Sequence, residues 1–64
     1  MNIKQLREKK GLTQQQVADM IGVDVATYNR YERGKYKIGR TVQLALSVAL
    51  GVPVEDIKKS KLRT

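Results

Sequence analysis

In the stretch V-A-T-Y-N-R-Y-E-R-G, residues 25–34, Asn29 and Arg30 stand next to each other and carry the two side-chain types that bond flat partners through two contacts at once. An amide sets a donor beside an acceptor, which matches an adenine edge. A guanidinium sets two donors in parallel, which matches O6 and N7 of guanine. On a helix, at about 100° per residue, Ala26, Asn29, Arg30 and Arg33 share one face, while Asp24, Val25, Tyr28, Tyr31 and Glu32 share the other. The first face is polar and basic and the second is core-like. Val25 and Ala26 are short and apolar, suited to thymine methyl groups. Val25 also borders the inner face, so core packing is an equal reading of it. A solvated surface amide is the plain alternative for Asn29.

The residues after this face are basic. From Arg30 to Arg40 there are five cations (Arg30, Arg33, Lys35, Lys37 and Arg40) and one acid, Glu32. With Glu32 turned inward, this stretch shows solvent an almost purely positive surface. Charge runs are often no more than solvated faces; beside a base-reading helix, this one is better suited to phosphates. The whole chain agrees in sign: 13 Lys and Arg against 6 Asp and Glu give a net charge of +7 over 64 residues. Such a charge favours a polyanionic partner. Histidine and cysteine are both absent. The commonest general base and the commonest soft metal ligands are therefore missing, and neither an enzyme nor a metal site is expected. No apolar stretch is long enough to span a bilayer, and no signal-peptide core follows Met1. A cysteine-free chain suits a reducing cytoplasm.

Two short helices joined by a tight turn must position that face, and each boundary carries a local signal. Thr13 caps one helix over Gln14 to Ile21, and Gln16 completes a capping box. Leu12 and Val17 form a hydrophobic staple. Val17, Met20 and Ile21 fall on one side at helical spacing. Gly22 takes the left-handed position that stops the helix. Asp24 caps the next helix, about Val25 to Arg33; Val23 and Tyr28 staple it and Gly34 ends it. Only residues 22–24 separate the two, so they cross steeply, and Ala18 is small where the backbones approach. This is helix-turn-helix geometry. Before it, an Asn2/Gln5 cap opens a first helix that Gly11 closes, with Ile3 and Leu6 inward. Arg7 lies one turn after Ile3, on the core side, where a charge needs a partner.

The residues Gly11-Leu12-Thr13-Gln14, Ala18, Gly22, Tyr28, Glu32 and Gly34, followed by Leu50-Gly51-Val52, resemble the Cro/C1-type (lambdoid repressor-like, XRE-type) helix-turn-helix regulators. The resemblance covers nearly the whole chain. It implies an all-α, five-helix, lambda-repressor-like DNA-binding domain with the helix-turn-helix at helices 2 and 3. Such domains usually act as dimers on palindromic operators. It also implies that Arg7 pairs with Glu32 and that Gln14 grips the DNA backbone. Thr13 opens the same helix, whose N–H groups favour a phosphate. Tyr28 departs from the Ile or Val more common at its position, and its hydroxyl must find a partner or the surface.

Thr41 is expected to cap a fourth helix ending at Leu50. Val42, Leu46, Ala49 and Leu50 form one apolar stripe and Leu44 with Val48 a second, opposite one. The second is either covered within the monomer or a dimer contact. Pro53 suits the first position of a fifth helix, with Val54 and Ile57 inward. Residues 1–58 form the DNA-binding domain and 59–64 a frayed basic tail. The expected function is sequence-specific binding of double-stranded DNA as a homodimer, with transcriptional regulation as the outcome. No cofactor or small-molecule ligand is expected. No second domain is visible, which fits a Cro-like phage protein, a small stand-alone regulator or a repressor's N-terminal domain. The alternative is an antitoxin-like protein-interaction module that docks a partner through the fourth helix and Tyr36.

Overall fold

The computed structural model describes residues 2–59. They form five α-helices and no strand: α1 Ile3–Lys10, α2 Gln14–Ile21, α3 Val25–Glu32, α4 Arg40–Leu50 and α5 Val54–Lys59. The first two helices open on reciprocal capping boxes. Asn2 Oδ1 accepts from Gln5 N at 2.9 Å and Gln5 Oε1 from Asn2 N at 3.0 Å. Thr13 Oγ1 accepts from Gln16 N at 3.0 Å and Gln16 Oε1 from Thr13 N at 2.8 Å. Each box satisfies N–H groups that a helix start leaves without an internal partner.

Gly22 ends α2 at φ 82°. Its N–H and that of Val23 both return to Ala18 O, at 2.9 and 3.0 Å. A Cβ at Gly22 would meet nothing within 4 Å, so the left-handed backbone alone demands glycine there. Residues 22–24 then suffice to redirect the chain into α3.

The core draws on every helix: Ile3 and Leu6 of α1, Val17 and Ala18 of α2, Tyr28 of α3, Leu46 and Leu50 of α4, and Ile57 of α5 are buried together. Helix α2 packs against both α3 and α4, and α4 also packs against α5 and α1. Because α2 lies between two neighbours, its buried side is centred on Val17 and Ala18, both 0 % exposed. Met20 is more than a quarter-turn from that centre and stands 55 % exposed, so it is not the core residue its spacing with Val17 indicated. Asp24 also leaves the inner side on which periodicity placed it. It is exposed as the N-cap of α3, where it accepts from Thr27 Oγ1 at 2.6 Å and Thr27 N at 3.4 Å.

Helix α4 is capped two residues earlier than expected. Its N-cap is Gly39, extended at φ −74° and ψ 173°, with no side-chain cap bond. Thr41 is already inside the first turn, where a helical backbone denies it the cap geometry. Gln43 ties the helix to the segment before it, donating from Nε2 to Ile38 O at 3.1 Å. Pro53 likewise precedes α5 instead of opening it, and its carbonyl accepts from Asp56 N at 2.9 Å. Ile57 docks fully, while Val54 is only half-buried. The helix extends to Lys59, one residue into the expected tail; the rest of that tail, 60–64, lies outside the described residues.

Candidate nucleic-acid interface

Helix α3 is held by its inner side. Tyr28 is fully buried, and Val25 and Tyr31 pack half-buried against the core cluster. Glu32 is turned inward, with its side chain 3 % exposed. Both its oxygens are used: Oε2 accepts from Arg7 Nε at 2.6 Å and Oε1 from Gln14 Nε2 at 2.8 Å. Arg7 Nη1 also donates to Leu12 O at 2.8 Å. One carboxylate thus joins α1, the start of α2 and the end of α3. Burial alone would push the Glu32 carboxyl up. Hydrogen bonds from Arg7 and Gln14, with the polar Tyr28 hydroxyl nearby, outweigh burial and leave its pKa below the ordinary value.

The Tyr28 hydroxyl is the weak point of this cluster. It sits beside Glu32 and Arg7, yet forms no hydrogen bond of normal geometry with any described residue. Burial, and secondarily the neighbouring carboxylate, drive its pKa far above that of a free tyrosine, so it stays neutral. The partner expected of a tyrosine at this position is therefore not found.

With Glu32 neutralised inside, the outward side of α3 presents Ala26, Arg30 and Arg33 exposed and Asn29 half-buried. Lys35, Lys37 and Arg40 follow, all exposed. The first two lie on the segment between α3 and α4 and Arg40 is the first residue of α4. Thr13, the cap of α2, is exposed. No acid interrupts the run from Arg30 to Arg40 on the solvent side. Asn29 is not an isolated surface amide, because its Nδ2 approaches Gln14 Oε1 at 3.5 Å. A side-chain sequence Asn29–Gln14–Glu32–Arg7 therefore links the outer face of α3 to the interior.

A family model described as helix-turn-helix matches residues 3–57. This chain belongs to the helix-turn-helix family, of the XRE (Cro/C1) type. No curated protein and no solved structure matches it. The family is one of DNA-binding domains, and this helix-turn-helix domain binds double-stranded DNA. In it, α2 and α3 are the paired helices and α3 is the one whose free side is polar and cationic.

Two relationships at the face of this helix-turn-helix are invisible to periodicity. Gln14, expected at the DNA backbone, spends one amide N–H on Glu32 and its oxygen on Asn29, which leaves its second N–H for an outside acceptor. Tyr36 lies under the Arg30 guanidinium, whose Cζ is 5.5 Å from the ring centroid. The available signal for the second was Gly34. Its φ of 74° folds the chain back, and Lys35 N then bonds Arg30 O at 2.9 Å, so the next residue lands beside Arg30. On α4, Leu44 and Val48 are 45 % and 84 % exposed and so are not covered within the monomer. No helix among the described residues is long and apolar enough to cross a membrane, and no group of His, Cys, Asp or Glu among them is arranged to hold a metal ion.

Proposed function

We propose that this domain is a repressor-like transcriptional regulator that reads a palindromic operator as a two-fold dimer, with α3 in the major groove. The observation that carries this reading is the sorting of charge on α3 and the segment after it. The one acid, Glu32, is withdrawn into the interior and paired, while Arg30, Arg33, Lys35, Lys37 and Arg40 face solvent together. An α-helix fits the major groove, where each base pair presents a distinct pattern. Asn29 then reads adenine, Arg30 reads guanine through two hydrogen bonds, and Ala26 meets a thymine methyl. Val25, packed on the core, contributes at most its outer edge. Arg33, Lys35, Lys37 and Arg40 hold phosphates, joined by Thr13 and the remaining amide N–H of Gln14 at the start of α2.

One such domain covers only a few base pairs. Two copies on half-sites about one helical turn apart supply the missing specificity. Leu44 and Val48 on α4 supply apolar surface for the contact between copies. A charge of +7 on each subunit opposes association until phosphates neutralise it, so dimerisation is coupled to DNA binding.

The deciding experiment is selection of bound sites from random duplexes, followed by sedimentation on the enriched sequence. Enrichment of an inverted repeat bound by two chains supports the reading. A tight dimer without DNA, or one chain on a palindrome, contradicts it. The exposure of Leu44, Val48 and Tyr36 favours one second reading, an antitoxin-like module that also docks a partner protein. Binding without sequence preference would favour that module.

A further inference from the structure

The α3–α4 segment carries Tyr36, an aromatic side chain 47 % exposed beside a basic face and outside the core. Its surroundings are ordered by three contacts. Lys35 N bonds Arg30 O at 2.9 Å, which fixes where the segment leaves α3. The Tyr36 ring packs edge-on to Tyr31, with centroids 6.1 Å apart and planes at 71°. Tyr31 in turn packs on the hydrophobic core. The Tyr36 ring also meets the Arg30 guanidinium, with Cζ 5.5 Å from the ring centroid, inside the range of a cation–π contact.

We propose that Tyr36 is a positioning residue for sequence reading. Tethered to the core through Tyr31, it holds the Arg30 guanidinium at the groove-facing side of α3 before DNA arrives. This rests on the reading of Arg30 as a base contact. An exposed arginine samples many rotamers, and fixing it on binding costs affinity. A ring contact restrains the guanidinium without consuming a hydrogen-bond donor, and this guanidinium makes no hydrogen bond to a described residue. The paired donors that guanine requires thus stay available while the side chain is already placed. Lysine at position 30 would keep the charge but lose both the stacking plane and the fork. The segment after α3 therefore contributes to which base pair is preferred as well as to phosphate binding.

The test compares wild type, Tyr36→Phe and Tyr36→Leu, each with Arg30 intact and in an Arg30→Ala background. Binding is measured on the selected operator and on a copy altered at the base pair that Arg30 reads. Tyr36→Phe is expected to keep the ratio of matched to mismatched affinity. Tyr36→Leu is expected to lower that ratio two- to five-fold, the size of an exposed cation–π contact. In the Arg30→Ala background the same change should have no effect on the ratio. A Tyr36→Leu loss that is equal on every sequence, or that persists without Arg30, assigns Tyr36 to packing or to phosphate and overturns the proposal. Upfield ring-current shifts of the Arg30 side-chain protons, lost in Tyr36→Leu, report the contact in the free protein. Failure of the wild type to discriminate any duplex overturns the base-reading role of Arg30 and this role with it; discrimination by wild type that Tyr36→Leu leaves intact overturns the role of Tyr36 alone.

Discussion

Arg7 Nε donates to Glu32 Oε2 across 2.6 Å, although the two residues lie 25 positions apart in the chain. Their side chains are 10 % and 3 % exposed. At that burial the pair belongs with interior ion pairs, for which loss of one partner strands a charge. Arg7→Ala or Glu32→Ala should therefore destabilise the domain by about 3–5 kcal/mol, measured by urea unfolding. A cost below about 1 kcal/mol would place the contact among surface pairs.

The same carboxylate sets a pH dependence. Glu32 has its pKa depressed from the ordinary 4.5, because hydrogen bonds from Arg7 and Gln14, with the polar Tyr28 hydroxyl nearby, outweigh the burial that would raise it. A depressed folded-state pKa adds stability that is fully present above the unfolded value and lost as pH falls through the folded one. The stability advantage of wild type over Glu32→Gln should hold from pH 7 to about 4.5 and shrink below it. An advantage that stays constant down to pH 3 would show that Glu32 is not the titrating group.

The buried hydroxyl of Tyr28 gives a test of opposite sign. It is desolvated without a properly formed hydrogen bond, so its presence costs the folded state. Tyr28→Phe removes it and keeps the ring that fills the core. Thermal unfolding should show a change between neutral and a gain of about 1 kcal/mol. A loss of that size would mean that the hydroxyl is bonded to Glu32 in solution.

The cations of the basic face should separate into two classes by salt and sequence dependence. Arg30→Ala should cost about 1–3 kcal/mol on the operator and relax the preference at one base pair. Replacing Lys35, Lys37 or Arg40 should weaken binding to all sequences alike and reduce the salt slope by about one each. Titrations of matched and mismatched duplexes at several salt concentrations distinguish the classes. If Arg30→Ala weakens every duplex equally, Arg30 touches phosphate only.

What local sequence determined here is the boundaries of α1 and α2 and the turn between α2 and α3. Asn2 with Gln5, Thr13 with Gln16, and Gly22 act through hydrogen bonds that close within three or four residues. Those bonds depend only on backbone geometry near the residue, so residue type and spacing are enough to read them. The charge sorting on α3 was legible for the same reason, since helical period alone separates Glu32 from Arg30 and Arg33. Tertiary packing decided the rest. Met20 is exposed because α2 is gripped between α3 and α4 along Val17 and Ala18, and no period in α2 encodes where its neighbours lie. Thr41 lost the cap to Gly39 because the path of the chain out of the α3–α4 segment turns helical two residues sooner. The contact of Gln14 with Glu32, 18 residues away, and the seat of Arg30 on Tyr36 depend on the angle and distance between elements. Those are set by how a whole core packs at crystal-like density, a property of all the side chains together and of none of the local stretches alone.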